Sequence, residues 1–374
     1  MSARQLPPFR ADHVGSLLRP PELMRARADF KSGKIDADAL HEVEDEAILG
    51  VIALQRDAGL QSVTDGEFRR TSWHMDFIYS LEGIEQVAGE SIHVQFRNEE
   101  GEYDYAPPAM RVSGKVGVGE TIFADAFTFL RDHADPGQTP KLTIPSPSMV
   151  HYRGGNSSID DSVYPDMDLF WDDLTAAYAK QLEGAYALGC RYLQLDDTSL
   201  AYINDPAQRE HIEQIGGDPN HLHEQYIANI NRALATKPGD MVVTTHLCRG
   251  NNQSMWAAEG GYDFVAEALF GDLGVDGYFL EFDDERSGTF DPLRFVPAGK
   301  QVVLGLVTTK RPELESKDLL KRRIDEASRF VDLEQLGLSG QCGFSSTEEG
   351  NHLSIDEERR KLELIVEVAD EVWG

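Results

Sequence analysis

The sequence has few cysteines, no long apolar run and a shortage of positive charge. Its three cysteines, Cys190, Cys248 and Cys342, are too few and odd in number for a disulfide framework, so each is core filler, a metal ligand or a nucleophile. No apolar stretch reaches the roughly 18 residues of a membrane span. Residues 1–8 also lack the basic and then apolar pattern of a secretory signal. We therefore expect a cytoplasmic protein.

Basic residues are scarce relative to acidic ones. The chain has 35 Lys and Arg residues against 65 Asp and Glu residues, which gives a formal net charge of -30. A surface this acidic repels phosphate backbones, and no basic cluster with interleaved aromatic residues offsets it. We expect small-molecule partners, and neither nucleic acid nor a membrane. The oligomeric state stays open, with a homodimer as one option.

Eight short apolar runs alternate along the chain with helical patterns. Several are nearly continuous, as is typical of parallel strands buried on both faces. The runs cover residues 13–17, 60–64, 141–145, 191–195, 241–245, 277–280, 301–307 and 336–339, and the clearest helical patterns cover 168–188, 316–331 and 355–372. Eight strand–helix units predict an α/β protein with a (β/α)8 TIM-barrel fold. One barrel can occupy most of this length, so we predict a single domain over residues 1–374.

One segment breaks this alternation. Residues 91–119 alternate apolar and polar side chains around Gly101, which predicts a β-hairpin inserted after strand two, with the whole insertion at about residues 80–125. Gly117-Val118-Gly119 lacks the third glycine and the preceding strand of a dinucleotide-binding motif. A Rossmann fold is therefore not expected.

Polar side chains follow most of the predicted strands. Active sites of barrel enzymes are built at the carboxyl ends of the strands, so these side chains should converge on one pocket. They are Ser16, Asp65, Glu67, Asp196, Asp197, His246, Cys248, Glu281 and Cys342.

Four of these residues indicate a metal site. His246 and Cys248 lie two residues apart on an extended segment, which puts both side chains on one face. Alone, this pair is weak evidence for a metal site, because a cysteine near a histidine is more often part of the core. Cys342 adds a second thiol at a strand end, and Glu281 ends an apolar run where an unpaired carboxylate would be costly. Two thiolates, an imidazole and a carboxylate suit tetrahedral Zn2+.

Two other candidates stay open at this point. Cys190 follows a helix at its junction with a strand, and we interpret it as buried and inert. His13 precedes Gly15-Ser16, and contact with the pocket and packing in the core are equally compatible with its position.

The same residues carry a resemblance to a known family. Thr245-His246-Leu247-Cys248, Leu280-Glu281 and Gln341-Cys342-Gly343 resemble, in order, the zinc ligands in the catalytic C-terminal barrel of cobalamin-independent methionine synthase. The chain is similar to short, single-barrel homologues of that enzyme over nearly its whole length. Val14-Gly15-Ser16, Gly66-Glu67 and Gln194-Leu195-Asp196 match further motifs.

This resemblance implies a function and roles for individual residues. It implies a zinc-dependent S-methyltransferase that moves a methyl group to homocysteine to give methionine, with methyltetrahydrofolate as the first candidate donor. It also implies that Ser16, Glu67 and Asp196 hold the amino-acid part of the acceptor.

The chain departs from the family pattern at two places near the pocket. Lys310 stands where the family has a histidine implicated in delivering a proton, and Asp197-Thr198 replaces Glu-Pro. Lys310, Asp197 and His13 are therefore candidates for catalysis or donor binding. Lys310 either anchors an anionic donor or is a solvated surface lysine.

The predicted ligand set itself favours alkyl transfer. Two cysteinates and a carboxylate leave a coordinated substrate thiolate electron-rich, whereas hydrolytic zinc sites more often use neutral histidines. Alternatives are another donor or another small-thiol acceptor, and a zinc lyase or hydrolase on the same barrel. A structural zinc site is disfavoured because the ligands span residues 246–342 rather than a short loop.

Overall fold

The computed structural model describes residues 6–87, 94–106, 109–152, 154–214 and 217–374. Seven parallel strands form one curled sheet in the order β1-β6-β7-β8-β9-β10-β11. Two further sheets have two antiparallel strands each, β2 with β5 and β3 with β4. The strands are β1 Ser62–Val63, β2 Glu82–Val87, β3 Val94–Asn98, β4 Gly101–Tyr105, β5 Ala109–Gly117, β6 Thr139–Pro145, β7 Tyr192–Asp197, β8 Val242–Leu247, β9 Gly277–Glu281, β10 Gln301–Val307 and β11 Leu336–Gly340.

Helices connect consecutive strands of the large sheet. The longer ones begin at side-chain caps: Asp36 caps α2, Asp166 caps α6, and Ser354 forms a capping box with Glu357 at α12. The helices are α1 Pro21–Lys31, α2 Ala37–Asp57, α3 Met75–Ile78, α4 Ala124–His133, α5 Pro147–Tyr152, α6 Met167–Ala187, α7 Ser199–Tyr202, α8 Pro206–Gln214, α9 Leu222–Leu234, α10 Ala266–Asp272, α11 Lys317–Ala327 and α12 Ile355–Trp373. None of the helices in the described part of the chain has the length and apolar character needed to cross a membrane.

Seven of the eight predicted strands coincide with strands of the large sheet, and the first does not. Residues 13–17 are not a strand, because Gly15 has a φ of 146° that interrupts an extended path. The chain pairs earlier instead: Ala11 bridges Leu338 of β11 in parallel. On its other side, Leu17 N donates a hydrogen bond to Gly66 O at 3.1 Å. This segment therefore contacts both edges of the seven-stranded sheet.

The insertion after β1 contains two antiparallel strand pairs rather than one hairpin. The β3–β4 pair is joined at Asn98–Gly101, and β2 and β5 flank it in sequence. Residues 88–93 and 107–108, which fall within the predicted insertion, lie outside the described residues. The period-two pattern therefore located β structure here but did not resolve how the strands pair.

Most buried apolar side chains form one core between the sheet and the helices, running from Leu17 to Trp373. A separate small cluster, Val14, Phe279 and Val303, lies apart from it. Beside this cluster the Lys141 ammonium lies 4.1 Å from the centre of the Phe279 ring and donates to His13 O at 2.6 Å.

A buried carboxylate on α12 gives a testable pH dependence. Glu358 is fully buried, accepts a hydrogen bond from Leu18 N at 2.8 Å, and burial raises its pKa to about 8. Because the folded-state pKa lies above the unfolded one, stability is fullest below the unfolded pKa and is lost as pH rises toward 8. We expect Glu358→Gln to gain stability relative to the parent between pH 5 and 8, by up to roughly 4 kcal/mol. Urea unfolding of both proteins at pH 5 and pH 8 measures the difference in their free energies of unfolding. An equal difference at the two pH values would contradict the prediction.

Candidate active site

Three metal-ligating side chains meet at the carboxyl ends of β8 and β11. The ligand atoms of His246, Cys248 and Cys342 all lie within 4.8 Å of one another, and all three residues are buried. His246 is on β8 and Cys248 follows it, so strand alternation turns both side chains to the same side. Cys342 lies two residues beyond β11. The structure thus brings together three of the four predicted metal ligands.

The spacing and environment of these groups suit a metal ion. The two sulfurs are 3.7 Å apart, and two sulfurs bound at 2.3 Å to one tetrahedral ion would be about 3.8 Å apart. Both ring nitrogens of His246 are buried and have no hydrogen-bond partner in the described part of the chain. A buried imidazole without a partner is costly unless something binds it.

The two thiols lie in direct contact, with their sulfurs 3.7 Å apart. This contact lowers the pKa of Cys342 well below its usual range and raises the pKa of Cys248. A metal ion would bind both cysteines as thiolates, so its retention should weaken as the pH falls. Cys190, the third cysteine, is fully buried elsewhere, and burial raises its pKa to about 12.

Glu281, the fourth predicted ligand, forms ion pairs with positively charged side chains. It ends β9 and is fully buried. Its Oε1 lies 2.6 Å from Arg286 Nη2 and 3.2 Å from Lys310 Nζ, and its Oε2 accepts a hydrogen bond from Arg249 N at 2.6 Å. Burial alone would raise the pKa of Glu281, but these cations bring it well below its usual range. The carboxylate is ionised, close to the triad but not part of it.

Lys310 is a buried ion-pair partner and not a solvated lysine. Its Nζ lies 3.2 Å from Glu281 Oε1 and 3.4 Å from Asp283 Oδ2. Burial lowers the pKa of Lys310, but Asp283 and Glu281 together raise it above the usual value. The sequence could not reveal this pairing, because it depends on where β9 and β10 place the two loops.

Replacing Lys310 should therefore destabilise the fold. We expect Lys310→Met to lower the free energy of unfolding by about 3 kcal/mol, because it leaves buried carboxylates without a counter-charge. Lys310→Arg keeps the charge, so its free energy of unfolding should fall by less than half as much. Urea denaturation of both variants measures the difference. Equal stability of Lys310→Met and the parent would show that the ion pair contributes nothing.

The predicted acceptor residues lie in the same pocket as the metal triad. Ser16, Glu67 and Asp196 line it together with the triad, around a cavity of about 50 Å3. Glu67 Oε1 accepts a hydrogen bond from Thr143 Oγ1 at 2.6 Å, whereas its buried Oε2 has no partner in the described chain. Glu67 also has a strained backbone φ of 63°, which is common at functional sites.

Two carboxyl groups in this pocket have raised pKa values. Burial is the largest cause at both: it raises the pKa of Glu67 and raises that of Asp196 to about 7. Asp196 Oδ1 accepts a hydrogen bond from Gln194 Nε2 at 2.7 Å. An approaching ammonium group would lower both pKa values by stabilising the ionised forms.

Ser16 meets the loop that carries Cys342. A side chain at Gly343 would place its Cβ only 2.0 Å from Ser16 Oγ, so this position admits glycine alone. Phe344 N donates a hydrogen bond to Ser16 O at 2.9 Å, which fixes the two segments together. Ser16, predicted to contact the acceptor, is therefore held next to the loop that carries Cys342, a predicted metal ligand.

Of the two remaining candidates, Asp197 lines the pocket and His13 does not. Asp197 lines the pocket, but its oxygens accept hydrogen bonds from the hydroxyls of Ser146, Ser148 and Ser199 and from the backbone N of Leu200. This bonding orders the turn after β7. His13 is not among the described residues that line the pocket, and burial, aided by Lys141, lowers its pKa to about 4.

Sequence reasoning missed the aromatic wall of the pocket. Trp73, Phe96, Tyr105 and Tyr202 line it, together with Asn251 and Asn252. The asparagines follow Cys248 closely and could have been found by reading past the strand end. Phe96 and Tyr105 belong to β3 and β4, and only the folded insertion brings them over the sheet.

A parallel α/β sheet with a His-Cys-Cys group at its carboxyl edge defines a class of metal-dependent barrel-like enzymes. Residues 170–371 match the family model described as the cobalamin-independent synthase catalytic domain. The chain belongs to the cobalamin-independent methionine synthase family, whose members are homocysteine methyltransferases.

Individual relatives are similar to this chain over nearly its whole length. The chain is 45% identical to the protein YxjG of Bacillus subtilis, over 99% of this chain and 96% of the relative. A crystal structure from Listeria monocytogenes, of a protein named only as a proposed vitamin-B12 independent methionine synthase, is 39% identical, with a TM-score of 0.79, and covers 99% of this chain and 100% of that one. A B12-independent methionine synthase from Shewanella sp. W3-18-1, solved with selenomethionine, is 20% identical with a TM-score of 0.72 over 97% of both chains and supports the fold alone.

Proposed function

We propose that this protein is a zinc-dependent methyltransferase that methylates the thiol of homocysteine to give methionine. One observation carries the proposal: the His246, Cys248 and Cys342 ligand atoms converge in the same pocket as the unpartnered carboxylate oxygen of Glu67. A metal site for a thiol and an anionic site for an ammonium group thus lie side by side. Homocysteine carries both groups.

Zinc is the ion that the donor set favours. Two thiolates and an imidazole are soft and borderline ligands, which disfavours Mg2+ or Ca2+. Bound there, zinc would supply deprotonation of the acceptor thiol near neutral pH. We propose Glu281 as the fourth ligand, with a carboxylate shared between the ion and the cations Arg286 and Lys310.

Three residues are proposed to orient the acceptor. Glu67 Oε2 and the Asp196 carboxylate would take up the ammonium group, and Ser16 would hold the amino-acid end near Gly343. The Shewanella relative was solved with selenomethionine, the selenium analogue of the methylated product. The molecule bound by that relative thus has the same amino-acid part as the acceptor proposed here.

Two finer points complete the proposal. The segment around Ala11 is proposed to close the sheet as an eight-stranded barrel, because it contacts both β11 and the segment after β1.

For the donor, the family resemblance points to methyltetrahydrofolate. Lys310, proposed as a donor anchor, lines a neighbouring polar cavity with Asp283 and Arg286.

X-ray absorption at the zinc edge tests the function directly. The zinc-loaded protein should show two sulfur neighbours alone and three after homocysteine is added. Serine, which has a hydroxyl in place of a thiol, is the control and should leave the spectrum unchanged. An unchanged sulfur count with homocysteine would refute thiol activation at this site.

A further inference from the structure

We propose that Arg19 is a positioning residue of the catalytic pocket: its guanidinium fixes the backbone that carries Glu67 relative to the loop that carries Cys342. The inference rests on the proposed function, because it concerns how the acceptor site and the metal site are kept side by side. Arg19 is not among the described residues that line the pocket. It therefore acts through the residues that it contacts.

The Arg19 side chain joins two segments that are far apart in the sequence. Its Nη2 donates hydrogen bonds to Glu67 O and to Arg70 O, both at 2.8 Å. Its Nη1 donates to Ser345 Oγ at 2.7 Å, to Thr347 O at 3.3 Å and to Ser345 O at 3.4 Å. One guanidinium thus connects the segment after β1 with the loop after β11.

All of these acceptors are neutral oxygens. Arg19 is 8% exposed, and none of its hydrogen bonds to the described part of the chain goes to a carboxylate. Burial, followed by the charge of Arg27, lowers the pKa of Arg19 to about 10, which still leaves the group charged near neutral pH. Burying a charge is costly, so an apolar side chain would suit this position better if it only filled space. The planar guanidinium instead holds acceptors on its two sides at a set distance.

Glu67 needs this support because its backbone is strained. Its φ is 63°, and Gly66 before it has a φ of 66°, so two successive residues are in the left-handed region. A residue with a Cβ stays in that region only where its surroundings hold it there. Glu67 N donates to Asp65 Oδ1 at 2.9 Å, and Glu67 O accepts from Arg19 Nη2. Without Arg19, the Glu67 peptide group can relax, and its carboxylate then changes direction.

The loop after β11 depends on Arg19 in a similar way. β11 ends at Gly340, so Cys342 lies beyond the strand on a loop whose position is set by contacts of this kind. Ser345 Oγ accepts from Arg19 Nη1 and donates to Thr347 O at 2.8 Å. The same guanidinium therefore fixes the acceptor side and the metal side of the pocket.

A lysine at this position would keep the charge but not the connection. Lysine has one ammonium group on a flexible stem, whereas arginine presents two outer nitrogens in a fixed plane. One ammonium can reach the Glu67 side or the Ser345 side, but it cannot hold both. We therefore expect Arg19→Lys to weaken homocysteine binding by roughly tenfold or more. Zinc content should stay at one ion per chain.

Arg10 provides the matched control. Its Nη1 donates to Leu333 O at 3.2 Å and to Leu336 O at 2.6 Å, so it ties the N-terminal part of the chain to the start of β11, at the opposite end of that strand. Arg10→Lys should keep the homocysteine affinity of the parent even where it lowers the free energy of unfolding. Isothermal titration of the zinc-loaded proteins, together with urea unfolding, measures both quantities.

A double-mutant cycle with Glu67→Gln separates positioning from general damage. If Arg19 directs the Glu67 carboxylate, most of the contribution of that carboxylate is already lost in Arg19→Lys. Glu67→Gln should then weaken homocysteine binding by less than about threefold in the Arg19→Lys background, against roughly ten- to a hundredfold in the parent. Effects that simply multiply, or parental affinity in Arg19→Lys, would overturn the inference. Loss of the folded state in Arg19→Lys would also overturn it, because the role of Arg19 would then be structural.

The zinc-edge spectrum keeps this inference distinct from the proposed function. If homocysteine adds a third sulfur in the parent and Arg19→Lys binds homocysteine as tightly as Arg10→Lys does, only the inference about Arg19 falls. If the parent shows no third sulfur, the proposed function fails and this inference fails with it.

Discussion

The Cys248→Ser/Cys342→Ser double variant is expected to lose the proposed zinc ion completely while remaining folded. Both sulfurs belong to the group whose ligand atoms lie within 4.8 Å of one another, and serine hydroxyls are far poorer zinc ligands. The fold should survive because the apolar core runs from Leu17 to Trp373 and does not depend on the ion. Elemental analysis after dialysis, together with circular dichroism, measures both outcomes. Activity should fall below detection.

Cys190→Ser is the matched control for this experiment. Cys190 is equally buried but lies outside the site, and its thiol donates to Tyr192 O at 3.3 Å, a contact that serine can preserve. The control should keep one zinc per chain. Full zinc occupancy in the double variant would place the metal elsewhere in the protein.

The second large effect is expected from the two carboxylates that we propose to bind the acceptor's ammonium group. Glu67→Gln and Asp196→Asn should each weaken homocysteine binding by roughly ten- to a hundredfold, because each removes a charge-assisted hydrogen bond of about 1.5–3 kcal/mol to the ammonium group. Zinc content should not change, since neither residue belongs to the triad. Isothermal titration with homocysteine, alongside metal analysis, measures the two separately.

Glu358→Gln provides the control for removing a buried carboxylate. Glu358 is as buried as Glu67 but accepts its hydrogen bond from Leu18 N and is not among the described residues that line the pocket, so homocysteine affinity should be unaffected. Wild-type affinity in both Glu67→Gln and Asp196→Asn would mean that the acceptor ammonium binds elsewhere or that the acceptor lacks one.

Sequence periodicity predicted most of the sheet because its strands are buried on both faces. The run from Gln301 to Val307 is apolar almost throughout, and it forms β10 with the same bounds. The first predicted strand was wrong because apolar content does not record backbone geometry: Gly15 interrupts the run, and pairing occurs at Ala11 instead. The apolar pattern of the sequence therefore locates strands well, except where a residue such as Gly15 adopts a positive φ.

The candidate site was predictable where a single strand sets the geometry. His246 and Cys248 share a face because of strand alternation, which the sequence displays directly. The surroundings of Glu281 were not predictable, because Arg286 and Lys310 reach it from two different loops. The roles of all the predicted site residues, the metal ligands and the acceptor contacts Ser16, Glu67 and Asp196 included, remain predictions. The aromatic wall depends likewise on how the insertion folds over the sheet.

The bridge between Ala11 and Leu338 has a consequence for how the chain folds. The two residues are separated by most of the sequence, so their contact is among the least local in the molecule. Contacts of this kind form slowly, because a long loop must close before they contribute any stabilisation. The last strand in the sequence, β11, is also the one that brings Cys342 to Cys248. Metal affinity should therefore appear late in refolding. The time course of zinc uptake then measures how fast the native topology forms.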